Sequence, residues 1–480
     1  MSKSLIIIGG GIAGLSAGCY AQMNGFDSTI YEKHVLTGGL CTAWHRKGFT
    51  FDLCMHWLVG SSPKSSLYSM WEELGAVQDK QFIKFTYFNQ ALDEEGNRFI
   101  AYTDPDKLRE HMLSFAPEDG PLITEITNDI RTMMDLEMPD LALMQLFAKY
   151  SMTTSELSMR FQNPVLRKLL QIGSDWEGVS AAFILWTLSI MGSEKAGYPV
   201  GGSKPFVRSI EDRCRELGGT ISLGTPVEQI LVENDTAVGV TLADGTEVRA
   251  DIVLSAADGH STIFDLLKGK YADEVVRNLY ATLKPFPPLV FVSLGVDGDY
   301  SDEPHRMTFS LKTPFQIGAR EVKLLSLFNH SMDGTLAPER KTTLSVTIET
   351  DFDYWEALAN DRDAYLEEKR KIKEAVINAI AELYPAIRDA VEVVDVATPL
   401  TFVRYTGNWR GSYQGWQLTK KTMGLTIPLT LPGLSNFYMA GQWVSATGGG
   451  LPVAAVTGRA AIELMCEHEK LPFVAKKPEQ

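Results

Sequence analysis

The chain has 480 residues, 45% of them hydrophobic and 22% charged, with a formal net charge of −15. That length exceeds one ordinary core and predicts a two-domain or composite architecture able to bury a large ligand. The acidic balance excludes nucleic acid, whose phosphates need basic surface, and five cysteines without a leading signal segment predict a reduced, cytoplasmic setting rather than a disulfide framework.

The first thirty residues, KSLIIIGGGIAGLSAGCYAQMNGFDSTIYEK, read as strand, glycine turn, small-residue helix, second strand and acid. Gly9, Gly11 and Gly14 satisfy G-x-G-x-x-G. The first makes a tight turn, the second lets backbone approach a pyrophosphate, and the third lets helix and strand pack closely. Ile12 and Ala13 open the helix, whose free N–H groups face the phosphates. Glu32 ends the second strand, where a carboxylate accepts hydrogen bonds from ribose hydroxyls. A Rossmann-type dinucleotide site is the expectation.

The next stretch holds Cys41, His45, Cys54 and His56 behind Gly38 and Gly39. Cys41-x-x-x-His45 and Cys54-x-His56 lack zinc spacing, so no metal is expected, and without C-x-x-C no thiol redox pair is expected either. Residues 131–161 carry Met and Leu at helical spacing, a lining suited to a flexible hydrocarbon as well as to ordinary core. Lys149, Arg160, Arg167 and Lys168 could seat that region on a membrane or simply be solvated. VSAAFILWTLSIMG at 179–192 is too short to cross a bilayer and reads as a buried helix. Near the C-terminus FYMAG reads as a strand, followed by SATGGGLP and a helix with Pro452 in its first turn.

Several segments together resemble the phytoene desaturase family of flavoproteins, which includes carotenoid desaturases, carotenoid isomerases and retinol saturases. They are Glu32, the Gly38-Gly39 loop and FTFD at 49–52; YPVGG and the following helix, turn and strand at 198–230; VLSAADGHSTIFDLL at 253–267; TPLTFVRYTGNWRGSYQGW at 398–416; and NFYMAGQWVSATGGGLPVAAVTGRAAIELM at 436–465. The resemblance spans essentially the whole chain and implies FAD. It implies contacts from Lys33, Leu40 and Cys41 beside Glu32, from Val227, and from Gly441, Gln442, Gly449, Gly450, Leu451, Pro452 and Ala455 near the end. Gln442 stands where many related flavoproteins have an acid.

The implied fold class is α/β, with a discontinuous Rossmann-type FAD-binding domain (1–70, 195–275 and 425–480). An α+β substrate domain completes it, made of a helical insertion (70–195) and a β-rich stretch (276–424). The implied activity is hydride transfer with flavin at a carbon–carbon bond of an apolar isoprenoid or polyene, by desaturation, saturation or redox-assisted isomerisation. The electron acceptor or donor stays open, as does a peripheral contact with the inner face of the membrane. His56 is the first candidate for proton transfer, with a structural role as its rival; Arg404 and Tyr405 form the second candidate pair. Trp409 and Trp416 are candidates for the roof of the flavin pocket. Two other readings remain: a flavin amine oxidase, and a non-catalytic prenyl or lipid carrier of the Rab GDP-dissociation-inhibitor type.

Overall fold

The computed structural model describes residues 2–137, 139–174, 178–419, 422, 425, 427–445 and 449–478. Met138 of the Met-rich stretch and residues 446–448 of the C-terminal glycine loop lie outside the described residues.

Apolar strands alternate with helices at the start of the chain, and parallel strands follow. Ser4–Ile8 pairs in parallel with Asp27–Glu32 on one side and Ile252–Ser255 on the other. Thr220–Leu223 and Phe437–Met439 complete the order Thr220–Leu223, Asp27–Glu32, Ser4–Ile8, Ile252–Ser255, Phe437–Met439. A sheet of this kind is covered on both faces, which is why LIII and IVLS read as continuous apolar runs. All five strands fall within residues 1–70, 195–275 and 425–480.

The helix Ile12–Met23 is buried at every position except Gln22, so only small residues fit where neighbours approach. A Cβ on Gly18 would meet Ile30 and Cys214 at 2.9 Å. The C-terminal helix Leu451–Glu469 crosses on the other side, where a Cβ on Gly458 would stand 2.4 Å from the Ala13 carbonyl oxygen. The Ser16 hydroxyl donates to the Ala455 carbonyl at 2.8 Å and pins the crossing.

A second, seven-stranded sheet has the order Val391–Ala397, Leu289–Val296, Thr342–Glu349, Arg320–Asn329, Arg306–Ile317, Tyr87–Leu92, Arg98–Tyr102. Its last two strands, Tyr87–Leu92 and Arg98–Tyr102, lie within 70–195, the stretch expected as a helical insertion. Their short alternation was masked by the long helical pattern that follows. Val290, Val292, Leu294 and Val296 face the helix Arg362–Leu383, while Leu289 and Phe291 face the opposite way, toward a large cavity. The helices Leu141–Lys149, Thr154–Ser158, Pro164–Gly173 and Ala181–Gly192 line the far side of that space, and Pro105–Phe115 and Gly120–Asp135 belong to the same helical region. Among the described residues no helix is long and apolar enough to cross a membrane.

Because the Gly458 contact is backbone against backbone, no rotamer change relieves it. Gly458→Ala is expected to cost about 2 kcal/mol, the overpacking range, in a urea titration. An unchanged midpoint would show that the crossing has slack.

Candidate functional site

The turn after the first strand folds as its glycines demand. Gly9 has φ +97°, and a Cβ on Gly14 would lie 1.9 Å from the Gly9 carbonyl oxygen. At Gly11 the space opens, with nothing nearer to a built Cβ than Gly38 O and Gly39 Cα at 4.0 Å. The Gly38-Gly39 loop lies directly on this turn, Gly38 N donating to Gly10 O at 2.9 Å. Glu32 accepts from Gly10 N and His34 N, each at 2.7 Å, which orients the carboxylate and leaves lone pairs for ribose hydroxyls.

From opposite sides, two helix N-termini reach the same space. Gly11 caps Ile12–Met23 and Gly450 caps Leu451–Glu469, neither with a side-chain bond, so their first N–H groups remain for an anion or a carbonyl oxygen. The 408–416 segment closes over this end through backbone contacts. A Cβ on Gly449 would fall 2.2 Å from Gln414 O, and one on Gly415 2.6 Å from Gln442 O. Asp258 fixes the segment from below, accepting from Ser261 N and Trp409 N at 2.8 Å each. Burial pushes the Asp258 carboxyl up to about 6, and those backbone donors limit the rise.

A cavity of about 2180 Å³ runs through these elements. Ordinary ligand pockets span roughly 300–1,000 Å³, so this one has room for a dinucleotide and a second large ligand together. Gly9, Gly11, Ile12, Ala13, Glu32, Lys33, Gly38, Gly39, Leu40, Cys41 and Val227 line it. So do Gly441, Gln442, Gly449, Gly450, Leu451 and Pro452. Gly14 and Ala455 do not. Gly14 acts through the close packing just described, and Ala455 is fully buried against Ser16. Beyond the glycine loops the walls turn apolar, with Trp44, Trp57, Phe183, Trp186, Phe286, Phe291 and Phe328.

FTFD and YPVGG, far apart in sequence, meet at Asp52. This buried carboxylate accepts from Ser203 N and Ser203 Oγ at 2.6 Å each, and from Cys54 N and Met55 N. It thereby clamps the wall of the cavity to the helix Ser203–Glu216. Burial raises its pKa, and the donors oppose that rise.

The candidates for proton transfer are separated. His56 lines the cavity and stacks on Phe328, ring centroids 4.2 Å apart. Burial, then the Arg306 guanidinium, then His330, lower its pKa well below the ordinary value, so the ring is neutral at pH 7. Arg306 itself packs over Phe88 and Phe328. Arg404 and Tyr405, the second candidate pair, lie apart from this group. The helix Pro399–Thr406 carries them to Lys33 and His34, where Tyr405 meets His34 edge-on at 5.2 Å and stays 44% exposed. They line the cavity on the side of Glu32.

The roof assignment of Trp409 and Trp416 is corrected. They pack behind the cavity with Tyr280, His260 and Trp443, and only Trp443 of this aromatic group reaches the lining. The four ligand-like side chains of the 41–56 stretch also divide. His45 bonds Thr50 within the hairpin at 2.9 Å, and His56 stacks on Phe328. Cys41 and Cys54 come near one another on the cavity wall, although the absence of C-x-x-C had argued against a thiol pair. Sequence reasoning missed Arg306 and Phe328, on strands of the second sheet, and His330, just past the end of one, all without a local motif; Asp258 was visible only as part of the 253–267 segment.

His330 is buried and held at about 4, mainly by desolvation. Its ordinary value is about 6.5, so between about 6.5 and 4 the unfolded chain binds the extra proton. Stability is therefore lost as pH falls through that window. His330→Gln is expected to remove on the order of 3 kcal/mol of this acid loss, read from urea midpoints at pH 7 and pH 4.5. Equal acid losses in both proteins would refute the assignment.

The family model for flavin containing amine oxidoreductase matches residues 12–465. Prolycopene isomerase of Daucus carota is 24% identical over 96% of this chain and 79% of its own. All-trans-retinol 13,14-reductase of Danio rerio is 24% identical over 91% and 82%. 4,4'-Diapophytoene desaturase of Methylomonas sp is 23% identical over 98% and 97%. Among solved structures, cyclohexylamine oxidase of Brevibacterium oxydans shares the fold with a TM-score of 0.60 at 15% identity, covering 98% of this chain and all of that one. The glycine cradle, the orienting acid and the two uncapped helix starts fit FAD, and the chain belongs to the flavin-containing amine oxidoreductase family.

Proposed function

We propose that the protein is an FAD-dependent oxidoreductase acting on a carbon–carbon bond of an apolar, polyene-like isoprenoid. The continuity of the cavity carries this reading: one space runs from the glycine cradle into an arm walled by aromatic side chains, with His56 on its surface. The isomerase, reductase and desaturase relatives, each matched over more than nine-tenths of this chain, support it. Bound FAD supplies a ring that accepts or donates hydride.

The chain supplies alignment, dryness and a proton site. Phe286, Phe291 and Phe328 exclude water and hold a flat chain against the cofactor end. His56, neutral within this apolar wall, accepts a proton from the carbon next to the one that exchanges hydride, or returns it in the reverse direction. An amine oxidase reading is weaker, because the relatives matched over more than nine-tenths of this chain are a prolycopene isomerase, a retinol reductase and a diapophytoene desaturase. A carrier reading leaves the dinucleotide cradle without use.

Holo-protein is mixed anaerobically, oxidised or photoreduced, with polyenes and retinoids, and product masses are measured. A gain or loss of two hydrogens, or an isomer of unchanged mass, is expected; no product from any polyene in either redox state would sink the reading. His56→Ala is expected to keep FAD and lose at least about tenfold in turnover. Because the His56 pKa is lowered, the acid limb of wild-type turnover should lie below the ordinary histidine range of about 6.5.

Leu141, Met144 and Met159, respectively 68%, 49% and 58% exposed, form apolar tips on the helical side, and Met144 also lines the cavity. These tips, rather than Lys149, Arg160 or Lys168, all ion-paired to neighbouring acids, are the proposed seat on a lipid surface. Leu141→Lys with Met144→Lys should reduce co-sedimentation with neutral phosphatidylcholine vesicles severalfold; undiminished binding would remove this seat.

A further inference from the structure

Cys41 and Cys54 lie thirteen positions apart in a chain that has no C-x-x-C motif, yet the hairpin sets them opposite one another. Ala43 pairs with Asp52 in the antiparallel ladder of Ala43–Arg46 and Phe49–Asp52, and Leu53 N donates to Thr42 O at 3.1 Å. The next opposed residues in that register are Cys41 and Cys54. Directly opposed residues stand about 4.5–5.5 Å apart at Cα, inside the range of about 4.4–6.8 Å that a disulfide spans. The Cys54 thiol is near enough to act on that of Cys41, both are free, and both residues line the cavity. Cys41 follows the Gly38-Gly39 loop, its N–H bonded to Gly38 O at 3.0 Å, which puts it against the cofactor cradle.

We propose that Cys41 and Cys54 form a reversible dithiol–disulfide couple that exchanges an electron pair with the flavin. In the oxidising direction two S–H bonds break and one S–S bond forms. Two electrons and one proton pass to the oxidised flavin, and the second proton leaves through the cavity. A low-molecular-weight thiol restores the pair by exchange: two thiols become one small disulfide, and the protein disulfide returns to two thiols. Cys54 is the sulfur it meets first, being half-buried where Cys41 is fully buried. Its contact with Cys54, burial and nearby Asp52 raise the Cys41 pKa, which keeps that thiol protonated at rest. The couple gives the site a route to reduced flavin whichever polyene it takes.

Cys19 and Cys214 serve as an internal control. Their thiols also lie near one another, but both are buried between helices and neither lines the cavity. Holo-protein treated anaerobically with diamide, alkylated and digested should yield a peptide pair linked through Cys41 and Cys54, with Cys19 and Cys214 alkylated. In an anaerobic dithionite titration, the diamide-treated protein should take up about twice the reductant that bleaching its flavin requires. Cys54→Ser and Cys41→Ala, each verified to retain flavin absorbance, should take up only the flavin's share. Failure of wild-type protein to form the Cys41–Cys54 link, or equal reductant uptake by wild type and variants, would overturn the proposal. The link is read without any substrate, so its failure and that of the polyene reading are distinguishable.

Discussion

The structure depends on backbone meeting backbone where any side chain would intervene. Gly14 against Gly9, Gly458 against Ala13, Gly449 against Gln414 and Gly415 against Gln442 are four such approaches, drawn from both ends of the chain. Together they bring two uncapped helix starts and one buried acid to a single space. A dinucleotide needs this arrangement because its phosphates are held by N–H groups and its flat ring by a surface without protrusions. The discontinuity of the domain follows: the first and last segments must be adjacent, so the substrate-facing sheet and helices are inserted between them.

The second constraint is electrostatic. The arm beyond the cradle is apolar, yet His56, His305, His330 and Arg306 cluster beside it. The guanidinium lies over aromatic faces, and the three imidazoles, each desolvated, remain neutral at pH 7. One permanent charge is thereby held in a wall otherwise suited to hydrocarbon, and it disfavours a second positive charge nearby. A neutral His56 is consistent with accepting a proton and inconsistent with resting as an acid.

The cofactor half was readable because each requirement is local: a glycine where φ is positive, small residues where helices cross, an acid at a strand end. Gly9 and Glu32 have their predicted places for that reason. The substrate half was less readable. Phe328 and Arg306 come from paired strands, with His330 just beyond one strand's end, and no motif announces their facing. Arg404 and Tyr405 were assigned by nearness in sequence to a glycine-rich segment, but the turn of the helix Pro399–Thr406 directs them to His34. Ala455 sits one position from cavity-lining residues and faces the other way, as helical periodicity requires. Cys41 and Cys54 met through strand register, which spacing rules for metals and C-x-x-C motifs do not encode.

The central claim is that one cavity holds FAD and a long apolar substrate end to end. A crystal structure of the holo-protein with a bound polyene tests it most directly. The account predicts the nucleotide between Glu32 and the two helix starts, with the polyene running from the glycine loops past Phe291 and Phe328 beside His56. A polyene bound outside this cavity, or FAD extending through the aromatic arm and leaving no room for it, would contradict the account.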